Sequence, residues 1–494
     1  MMTLGYLIEP LLVKQIKGEI NLEITGINYD SREIESGELF VCISGYNFDG
    51  HDFAKEAIKK GAVALIVEKW LDIKDITQIK VSNSREALGI LATQFYDCPS
   101  KDLNLIGVTG TNGKTTVTHL INAIYSAKYN KTGLIGTVKY EIGEEEFPVR
   151  TTTPQSLDLQ KMMSYMNEKA VRDCIIEVSS HAIEQKRILG CDFNICVFTN
   201  LSPEHLDYHD NMESYRAAKG RLFSFLGLSH KKNNIPKAAV INADDDDADY
   251  MKNQSAVQVI TYGIEKDADI MAREIEIFPE GCRFVVESPW GSLKINLKLT
   301  GRFSIYNALA AITVALIEGF NPNYIKEVLE KVEKIPGRFE KVDVGQDFLV
   351  IVDYAHTSDS LENVLSTLKE ITHGRIGVVF GCGGDRDKEK RPLMAKVAAD
   401  YGDNLFITSD NPRTEDPESI INDIEKGLTK EKVSYIIEPD RRKAISKAIN
   451  WADANDAVLI AGKGHETYQV FKDRTIDFDD REVAREEIQK SRKQ

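Results

Sequence analysis

Short apolar runs alternate with helix-patterned stretches along almost the whole chain, and this rhythm constrains the fold more than any other feature. The runs LNLIGV (103–108), DCIIEV (173–178), ICVFTN (195–200) and AAVINA (238–243) are apolar nearly throughout. So are FLVIVD (348–353), RIGVVFG (375–381), NLFITS (404–409), SYIIEP (434–439) and AVLIAG (457–462). With helical segments between them, such runs predict parallel sheets joined by crossover helices, an α/β fold class. A chain of 494 residues exceeds one ordinary core, so about two to four domains are expected.

The breaks in the pattern predict three domains, at 1–102, 103–336 and 337–494. The first has strand-like ELFVCI (38–43) and VALIVE (63–68) around a helical DFAKEAIKKGA, which fits a small α/β unit. In the second, residues 268–299 instead alternate apolar and polar around the turns PEG and PWG, as expected of a small antiparallel insert. A helix is predicted over 304–319, and Pro and Gly in IPGRFE (335–340) mark the next boundary before a third, Rossmann-like α/β unit. The run DDDD (244–247) reads as a solvated loop rather than a metal site. No internal repeat or low-complexity tract stands out.

Composition narrows the partners. There are 62 basic and 77 acidic side chains, a formal charge of −15. A nucleic-acid binder shows a basic surplus, so no nucleic-acid partner is expected. An anionic substrate would need Arg and Lys concentrated locally against a repulsive field. The seven cysteines, at 42, 98, 174, 191, 196, 282 and 382, form no CxxC pair. They read as reduced, mostly buried thiols of a cytoplasmic protein. The N-terminus lacks the pattern of a signal peptide, and no apolar run is long enough for a membrane span.

The segment GVTGTNGKTT (107–116) carries the clearest chemistry. A strand leads into Gly110, Thr111, Asn112 and Gly113. Lys114, Thr115 and Thr116 then open a helix with apolar Val117, Leu120, Ile121 and Ile124. Backbone N–H groups in such a turn converge on phosphate oxygens, aided by the helix dipole. Lys114 supplies a mobile charge near the β- and γ-phosphates, and the Thr115 hydroxyl can ligate Mg²⁺. In the strict GxxxxGK[ST] pattern the first Gly would fall at 108, which is Val; glycines sit at 107 and 110. Such a loop implies a nucleoside triphosphate. By itself it does not separate ligase, kinase, motor or switch.

Its company does. The loop is followed in order by RTTTP (150–154), EVSSHAIEQKRI (177–188), TNLSPEHLDYH (199–209), YRAAKGRLF (215–223), GRFSIYNALAA (301–311) and PGRFE. DYAHTSDSLENVL (353–365), GCGGDRDKEKRP (381–392), SDNPRTEDP (409–417) and GKGHE (462–466) complete the series. This set resembles the Mur ligases over all three domains. The resemblance implies ATP-dependent amide formation: ATP phosphorylates the D-Glu carboxylate of UDP-MurNAc-L-Ala-D-Glu, and a diamino acid attacks the acyl phosphate. Bringing two anions together needs Mg²⁺ and cations at the γ-phosphate.

Glu177 ends a predicted strand, where α/β sites lie, and His205 follows another. A carboxylate and an imidazole suit a divalent ion. The resemblance implies that Thr115 serves one Mg²⁺, and that Glu177, His205 and Lys219 serve a second. Lys219 would be carbamylated by CO₂, converting a cation into an anion. With Lys114, these are the expected catalytic residues. The resemblance also assigns nucleotide contacts to Asn307, Arg338, Asp353 and His356, with Arg338 a γ-phosphate clamp delivered on closure. Ser31 is expected at the uridine end. Thr152, Thr153, Ser179, Gln185 and Arg187 are expected at the muramoyl-peptide. His181 could face substrate or merely bond backbone, and is left out.

The added amino acid is expected to be meso-2,6-diaminopimelate rather than L-lysine, because Arg413 in DNPR offers a fork for the extra carboxylate. Asp410, Asn411, Pro412, Arg386, Gly462 and Glu466 match the family's other contacts to this amine. Arg386 would take a carboxylate and Glu466 the distal ammonium. Three positions depart from the family pattern: Thr151 and Ser304 where Asn is common, and Ser358 where Pro is. They leave open a paralogue with altered substrate. The rivals are a lysine-adding or folylpolyglutamate-type ligase and a non-catalytic nucleotide-binding protein. A monomer acting on small molecules, with no membrane partner, is expected.

Overall fold

The computed structural model describes residues 2–45, 48–205, 208–227, 231–232, 234–428 and 433–491. Each long apolar run becomes a strand within a residue or two of its expected limits. Asn104–Thr109, Asp173–Glu177, Ile195–Phe198, Leu349–Asp353 and Ala457–Ala461 are buried along their whole length. Burial on both faces explains why none of them alternates.

Near the N-terminus, Ile27–Asn28, Leu39–Val41, Ala64–Val67 and Thr77–Lys80 run parallel, and Gln15–Lys17 closes one edge antiparallel. Helices Ala54–Lys60 and Ser84–Phe95 cover this sheet. The third sheet runs parallel in the order Leu349–Asp353, Ala457–Ala461, Ile376–Phe380, Asn404–Ile407, Ser434–Ile437. Glu340–Lys341 pairs antiparallel at its first edge. Separate apolar layers pack on its two faces, one under Ser358–Ile371 and Lys390–Tyr401, the other under Arg441–Trp451 and Asp480–Ser491. That doubly covered sheet is the Rossmann-like arrangement expected.

The central sheet has eleven strands. Its parallel middle carries Asn104–Thr109 between Asp173–Glu177 and Ile195–Phe198. The stretch 268–299 is the antiparallel insert expected, and it continues the central sheet. Ile270–Phe278 pairs parallel with Gln258–Gly263 through Tyr262↔Ile270 and Gly263↔Met271. The antiparallel strands Gly281–Ser288 and Gly291–Leu297 then extend the same sheet. Alternation survives there because only one face is covered: Leu293, Ile295 and Leu297 are buried under helices, while Ser292, Lys294 and Asn296 face out. A hairpin of Tyr140–Ile142 and Glu145–Phe147, too short to stand out in sequence, ends the opposite edge.

The helix Arg302–Ile317 is buried on all sides, which its run of Ala and branched residues permits. It packs on Lys114–Tyr129 and so braces the phosphate-type loop from behind. The DDDD run is also more structural than expected. Asp244 accepts from the backbones of Ile264, Glu265 and Lys266 and from the Tyr306 hydroxyl, and Asp245 caps Leu201 N. All seven cysteines are free thiols, and all but Cys98 are buried. No helix among the described residues is long and apolar enough to cross a membrane.

At the lower end of the central sheet, Asn104 Nδ2 donates to Asp173 Oδ1 at 2.8 Å and to both Glu318 oxygens at 2.8 and 3.1 Å. Burial pushes the Glu318 carboxyl up to about 7, and the Asp173 charge adds to the shift, against opposing bonds from Asn104 and Tyr125. The native state therefore holds this proton more tightly than the unfolded chain. Stability from Glu318 is lost as pH rises from about 4.5 to about 7 and is level above that, a change of about 3 kcal/mol. In urea unfolding at pH 5 and pH 7.5, Glu318→Gln should show a loss smaller by that amount than wild type. Equal losses in the two proteins would exclude Glu318 as the source.

Candidate active site

The phosphate-type loop owes its shape to two glycines. Gly110 (φ 150°) and Gly113 (φ 85°) are both in the glycine-favoured region. A Cβ on Gly110 would collide with Thr199 Oγ1, and one on Gly113 with Asn307 Oδ1. Gly107 lies inside the strand against the Phe193 ring, so it serves packing, not the loop. The loop is tied to the next strand's end: Asn112 N donates to Asn200 Oδ1 at 2.8 Å, and Thr111 Oγ1 to the Ser202 carbonyl at 3.2 Å. Lys114 opens the helix and curls back, with Nζ 2.9 Å from the Gly110 carbonyl and 2.7 Å from that of Thr111.

One cavity of about 460 Å³ gathers most of the expected nucleotide and metal residues. It is lined by Thr111 to Thr116, Glu177, His205, Lys219, Asn307, Arg338, Asp353 and His356, with Thr152 and Ser179. Three parts of the chain meet there. Glu177 ends its strand with Oε2 3.2 Å from Thr115 Oγ1 and 2.9 Å from Thr137 Oγ1, while Oε1 accepts from Thr137 N at 2.9 Å. Arg338, from the linking segment, donates Nη2 to Thr115 Oγ1 at 2.9 Å and stacks over the Tyr354 ring. Asp353 accepts from Phe339 N at 2.6 Å and Ala355 N at 2.7 Å, fixing the turn that presents Arg338.

Lys219 is buried on the helix Met212–Ser224, its Nζ 2.8 Å from the Gly110 carbonyl. Burial pushes its ammonium well below the usual lysine range, and the charge of Lys114 adds to the effect against Glu204. The shift is toward the neutral amine, compared with an exposed lysine. His205 adopts φ 58°, and burial lowers its imidazole to about 4 despite the neighbouring Glu204. Neutral imidazole is the form that ligates metals. Oxygen donors from Thr115 and Glu177 with a nearby neutral imidazole fit a hard divalent cation. Among the described residues, no group of three His, Cys, Asp or Glu side chains forms a metal site. A cation here would rest on a mixed set that includes Thr115 and Lys219.

Sequence reasoning missed Glu204 and Asp359. Glu204 Oε1 lies 3.3 Å from His356 Nε2, and Oε2 lies 3.6 Å from His205 Nε2. Burial opposes its charge, but His205, His356 and Lys114 together hold it well below the usual carboxylate range. Asp359 accepts from Asn112 Nδ2 at 2.6 Å and Ser202 Oγ at 2.9 Å, joining the third unit to the loop. Both stand inside motifs singled out above, but a lone acid there has no spacing signal of its own. Residues 206 and 207 of TNLSPEHLDYH lie outside the described residues. His181 packs edge-on to His205 at 4.7 Å and against Tyr208 at 4.1 Å.

Of the other expected substrate contacts, Ser179 lines this cavity, and Ser31, Thr153, Gln185 and Arg187 lie outside its lining. Thr153 is buried, and its hydroxyl is committed to the Glu177 carbonyl at 2.8 Å. Ser179 caps the helix Ser180–Glu184. Gln185 Oε1 accepts from Arg187 Nη2 at 2.8 Å, and Arg187 Nη1 reaches the Thr153 carbonyl at 2.8 Å. Ser31 is buried in the N-terminal unit, which Tyr29 ties to Asp158 of the central unit at 2.6 Å. The three departures are quiet locally. Thr151 Oγ1 bonds the Thr153 carbonyl, Ser304 Oγ bonds the Thr300 carbonyl, and Ser358 is the first residue of a capped helix.

The residues expected at the amine cluster at the strand ends of the third sheet. Arg413 adopts φ 53°, donates its backbone N–H to the Val470 carbonyl at 3.1 Å and Nη1 to the Gly384 carbonyl at 2.7 Å; its other guanidinium N–H groups have no partner among the described residues. Arg386 is exposed, held at the Asp385 carbonyl at 3.0 Å. Asn411 Nδ2 donates to Glu466 Oε2 at 2.9 Å, as does the buried Lys463. Gly462 is at φ 118°, where a Cβ would meet Asp410, and Pro412 is buried beside them. Underneath, fully buried Arg441 donates Nε and Nη2 to Asp480 at 2.8 and 2.7 Å, Nη2 also to the Ala461 carbonyl and Nη1 to that of Ser409. The pair pins both loops to the sheet.

A P-loop beside a buried lysine, under a linker that delivers an arginine, defines a nucleotide-dependent enzyme of modular α/β build. The chain belongs to the Mur ligase family. Family models match over 23–96 (Mur ligase family, catalytic domain), 108–315 (Mur ligase middle domain) and 337–464 (Mur ligase, glutamate ligase domain). It is 48% identical over 490 residues to the UDP-N-acetylmuramoyl-L-alanyl-D-glutamate--2,6-diaminopimelate ligase of Oceanobacillus iheyensis, covering 99% of both chains. The protein of that name from Bacillus velezensis is 49% identical, with 98% of each chain covered. A solved structure of a ligase with that name superposes with a TM-score of 0.69 at 34% identity over 99% of both chains. MurF from Acinetobacter baumannii, 21% identical with a TM-score of 0.65 over 89% of this chain and 90% of its own, shares the fold.

The Arg441–Asp480 pair yields a stability prediction. Arg441→Met should cost about 3–5 kcal/mol by stranding a buried carboxylate. Adding Asp480→Leu should recover part of that loss in urea unfolding. A double variant whose loss equals the sum of the two single losses would exclude coupling between them.

Proposed function

We propose that the protein joins meso-2,6-diaminopimelate to UDP-MurNAc-L-Ala-D-Glu, with ATP consumed and Mg²⁺ bound, in the cytoplasmic synthesis of peptidoglycan precursor. The observation that carries this reading is the meeting of Lys114, Thr115, Glu177, His205, Lys219 and Arg338 around one cavity, in a chain nearly half identical to ligases of that name. A carboxylate is a poor acyl donor until its oxygen is made a leaving group. ATP would supply the phosphoryl group, and two Mg²⁺ would neutralise its charge. Lys114 and Arg338 are positioned to steady the phosphate oxygens, and Gly110 to Thr116 to receive the chain of phosphates through backbone N–H groups. Asn307, Asp353 and His356 would complete the nucleotide pocket.

Thr115 and Glu177 would hold the cations, with His205 and Lys219. Burial that lowers the Lys219 ammonium favours carbamylation, because only a neutral amine adds CO₂ and releases a proton in doing so. Ser31, Thr152, Thr153, Ser179, Gln185 and Arg187 are the proposed contacts to the nucleotide-sugar peptide. Thr153 would act through the backbone, since its hydroxyl is already committed. Asp410 to Arg413, with Arg386, Gly462 and Glu466, would bind the amine. The unpaired N–H groups of Arg413 suit the carboxylate that lysine lacks, and leaving them unmatched penalises lysine. In this reading the units are 1–102 for the UDP end, 103–336 for ATP and 337–494 for the amino acid, acting as a monomer.

Phosphate release should require ATP, UDP-MurNAc-L-Ala-D-Glu and meso-diaminopimelate together. Release with L-lysine but not diaminopimelate would overturn the role of Arg413, and no release with any amine would overturn the ligase. Lys219→Ala should lower turnover by about a thousandfold or more while the melting temperature holds. The intact wild-type mass should include one CO₂ that the variant lacks. Unchanged turnover in Lys219→Ala would exclude the lysine from the chemistry.

A further inference from the structure

The boundary between the N-terminal and central units holds two guanidiniums that no carboxylate pairs. Arg85, on the helix Ser84–Phe95, has one long bond, from Nη2 to the Ser44 carbonyl at 3.4 Å, and its Nη1 is buried with no partner. Arg187 donates Nε and Nη2 to Gln185 Oε1 at 3.2 and 2.8 Å, and Nη1 to the Thr153 carbonyl at 2.8 Å. Every one of these acceptors is neutral. Neither arginine forms an ion pair among the described residues. Glu68 attracts Arg85 from a distance, but its Oε1 already accepts from Ser84 N and Oγ at 2.8 Å, and its Oε2 from Ser44 Oγ at 3.4 Å.

Both side chains are partly buried, and packing brings their segments together: Gly89, one turn beyond Arg85 on the same helix, lies against the Leu189 side chain, two residues beyond Arg187. Burial lowers each below the usual arginine range, and for Arg187 the charge of Arg85 is the next largest cause. The groups that offset Arg187 are the hydroxyls of Tyr140, Tyr208 and Tyr29, and none of them is a carboxylate. Tyr208 Oη accepts from Gln185 Nε2 at 3.3 Å, which joins it to the Arg187 network. Two desolvated like charges without a counter-ion are unfavourable in isolation, and an anion entering between them would relieve both. Forked guanidiniums match carboxylate and phosphate oxygens in geometry as well as charge.

We propose that Arg85 is a substrate-binding residue that clamps, with Arg187, an anionic oxygen pair of the nucleotide-sugar peptide across the boundary of the two units. The proposal rests on the function proposed above. It brings the N-terminal unit into recognition of the peptide and not only of the uridine end. The anion is a carboxylate of the terminal D-Glu or the diphosphate. The carboxylate is favoured by position: Arg187 bonds the Thr153 carbonyl, and the Thr153 hydroxyl bonds the carbonyl of Glu177 at the reacting centre.

The test is calorimetric titration of wild type, Arg85→Gln and Arg85→Lys with UDP-MurNAc-L-Ala-D-Glu and with UDP-MurNAc-L-Ala, which lacks the glutamate. Arg85→Gln should weaken binding of the first ligand about ten- to a hundredfold. Its melting temperature and ATP affinity should hold, and Arg85→Lys should recover part of the loss. A loss confined to the glutamate-bearing ligand identifies the carboxylate. An equal loss for both identifies the diphosphate. Unchanged affinity for both ligands overturns the clamp, as does a loss accompanied by weaker ATP binding and a lower melting temperature. Wild-type protein that binds neither ligand would instead overturn the proposed function.

Discussion

The carboxylate of Glu177 is the point on which the site depends. It lies at the end of a strand buried on both faces, so the sheet fixes its position to within the freedom of one side chain. Its oxygens accept from Thr115 of the phosphate-type loop and from both N–H and hydroxyl of Thr137. Its carbonyl accepts from Thr153. Thr115 in turn receives Arg338 from the linker to the third unit. One acidic residue thus sets the spacing of the nucleotide loop, the proposed peptide loop and the hinge. No room exists for a larger residue opposite, because Gly136 packs against the carboxylate itself.

That arrangement also explains how an acidic protein can handle anions. The formal charge of −15 repels nucleotides at long range. Inside the cavity, Lys114, Lys219 and Arg338 converge where water is scarce, and the compensating Glu177 and Glu204 sit beside them. Burial lowers both ammonium groups below the usual lysine range, and the Glu204 charge opposes the shift at each. The two lysines differ in what they face: Lys114 Nζ curls back on the carbonyls of Gly110 and Thr111, while Lys219 Nζ reaches the Gly110 carbonyl from a neighbouring helix.

The sheets were legible in the sequence because strands covered on both faces must be apolar throughout, and such runs are hard to mistake. The loop Gly110 to Thr116 was legible because few backbones besides a glycine turn bring a strand, a lysine and a helix start together in that order. Residues 268–299 were legible as an antiparallel insert of the central unit, but not as an extension of its sheet. Alternation reports that one face is open, and says nothing about which sheet the edge joins. Glu204 and Asp359 escaped for another reason. Their importance comes from His356 and Asn112, which are remote in sequence and meet them only after the third unit packs on the second. The same holds for Arg441 and Asp480, which lie on two different helices and look like surface charges until both are buried.

The third unit shows how far specificity can sit from the groups that express it. Arg413 is held in a left-handed conformation that a non-glycine residue adopts only under constraint. The constraint is visible: its N–H bonds the Val470 carbonyl, and its side chain bonds the Gly384 carbonyl. Asn411 is gripped at both ends, by Val470 N on Oδ1 and by Glu466 on Nδ2. Beneath them Arg441 bonds the carbonyls of Ser409 and Ala461 at once, so the two loops cannot move apart without breaking a buried ion pair. In the proposed role, a fork that distinguishes one carboxylate from none would gain selectivity only if it could not relax when that carboxylate is missing. The rigidity that would punish the wrong amine is built from residues that never need to touch it.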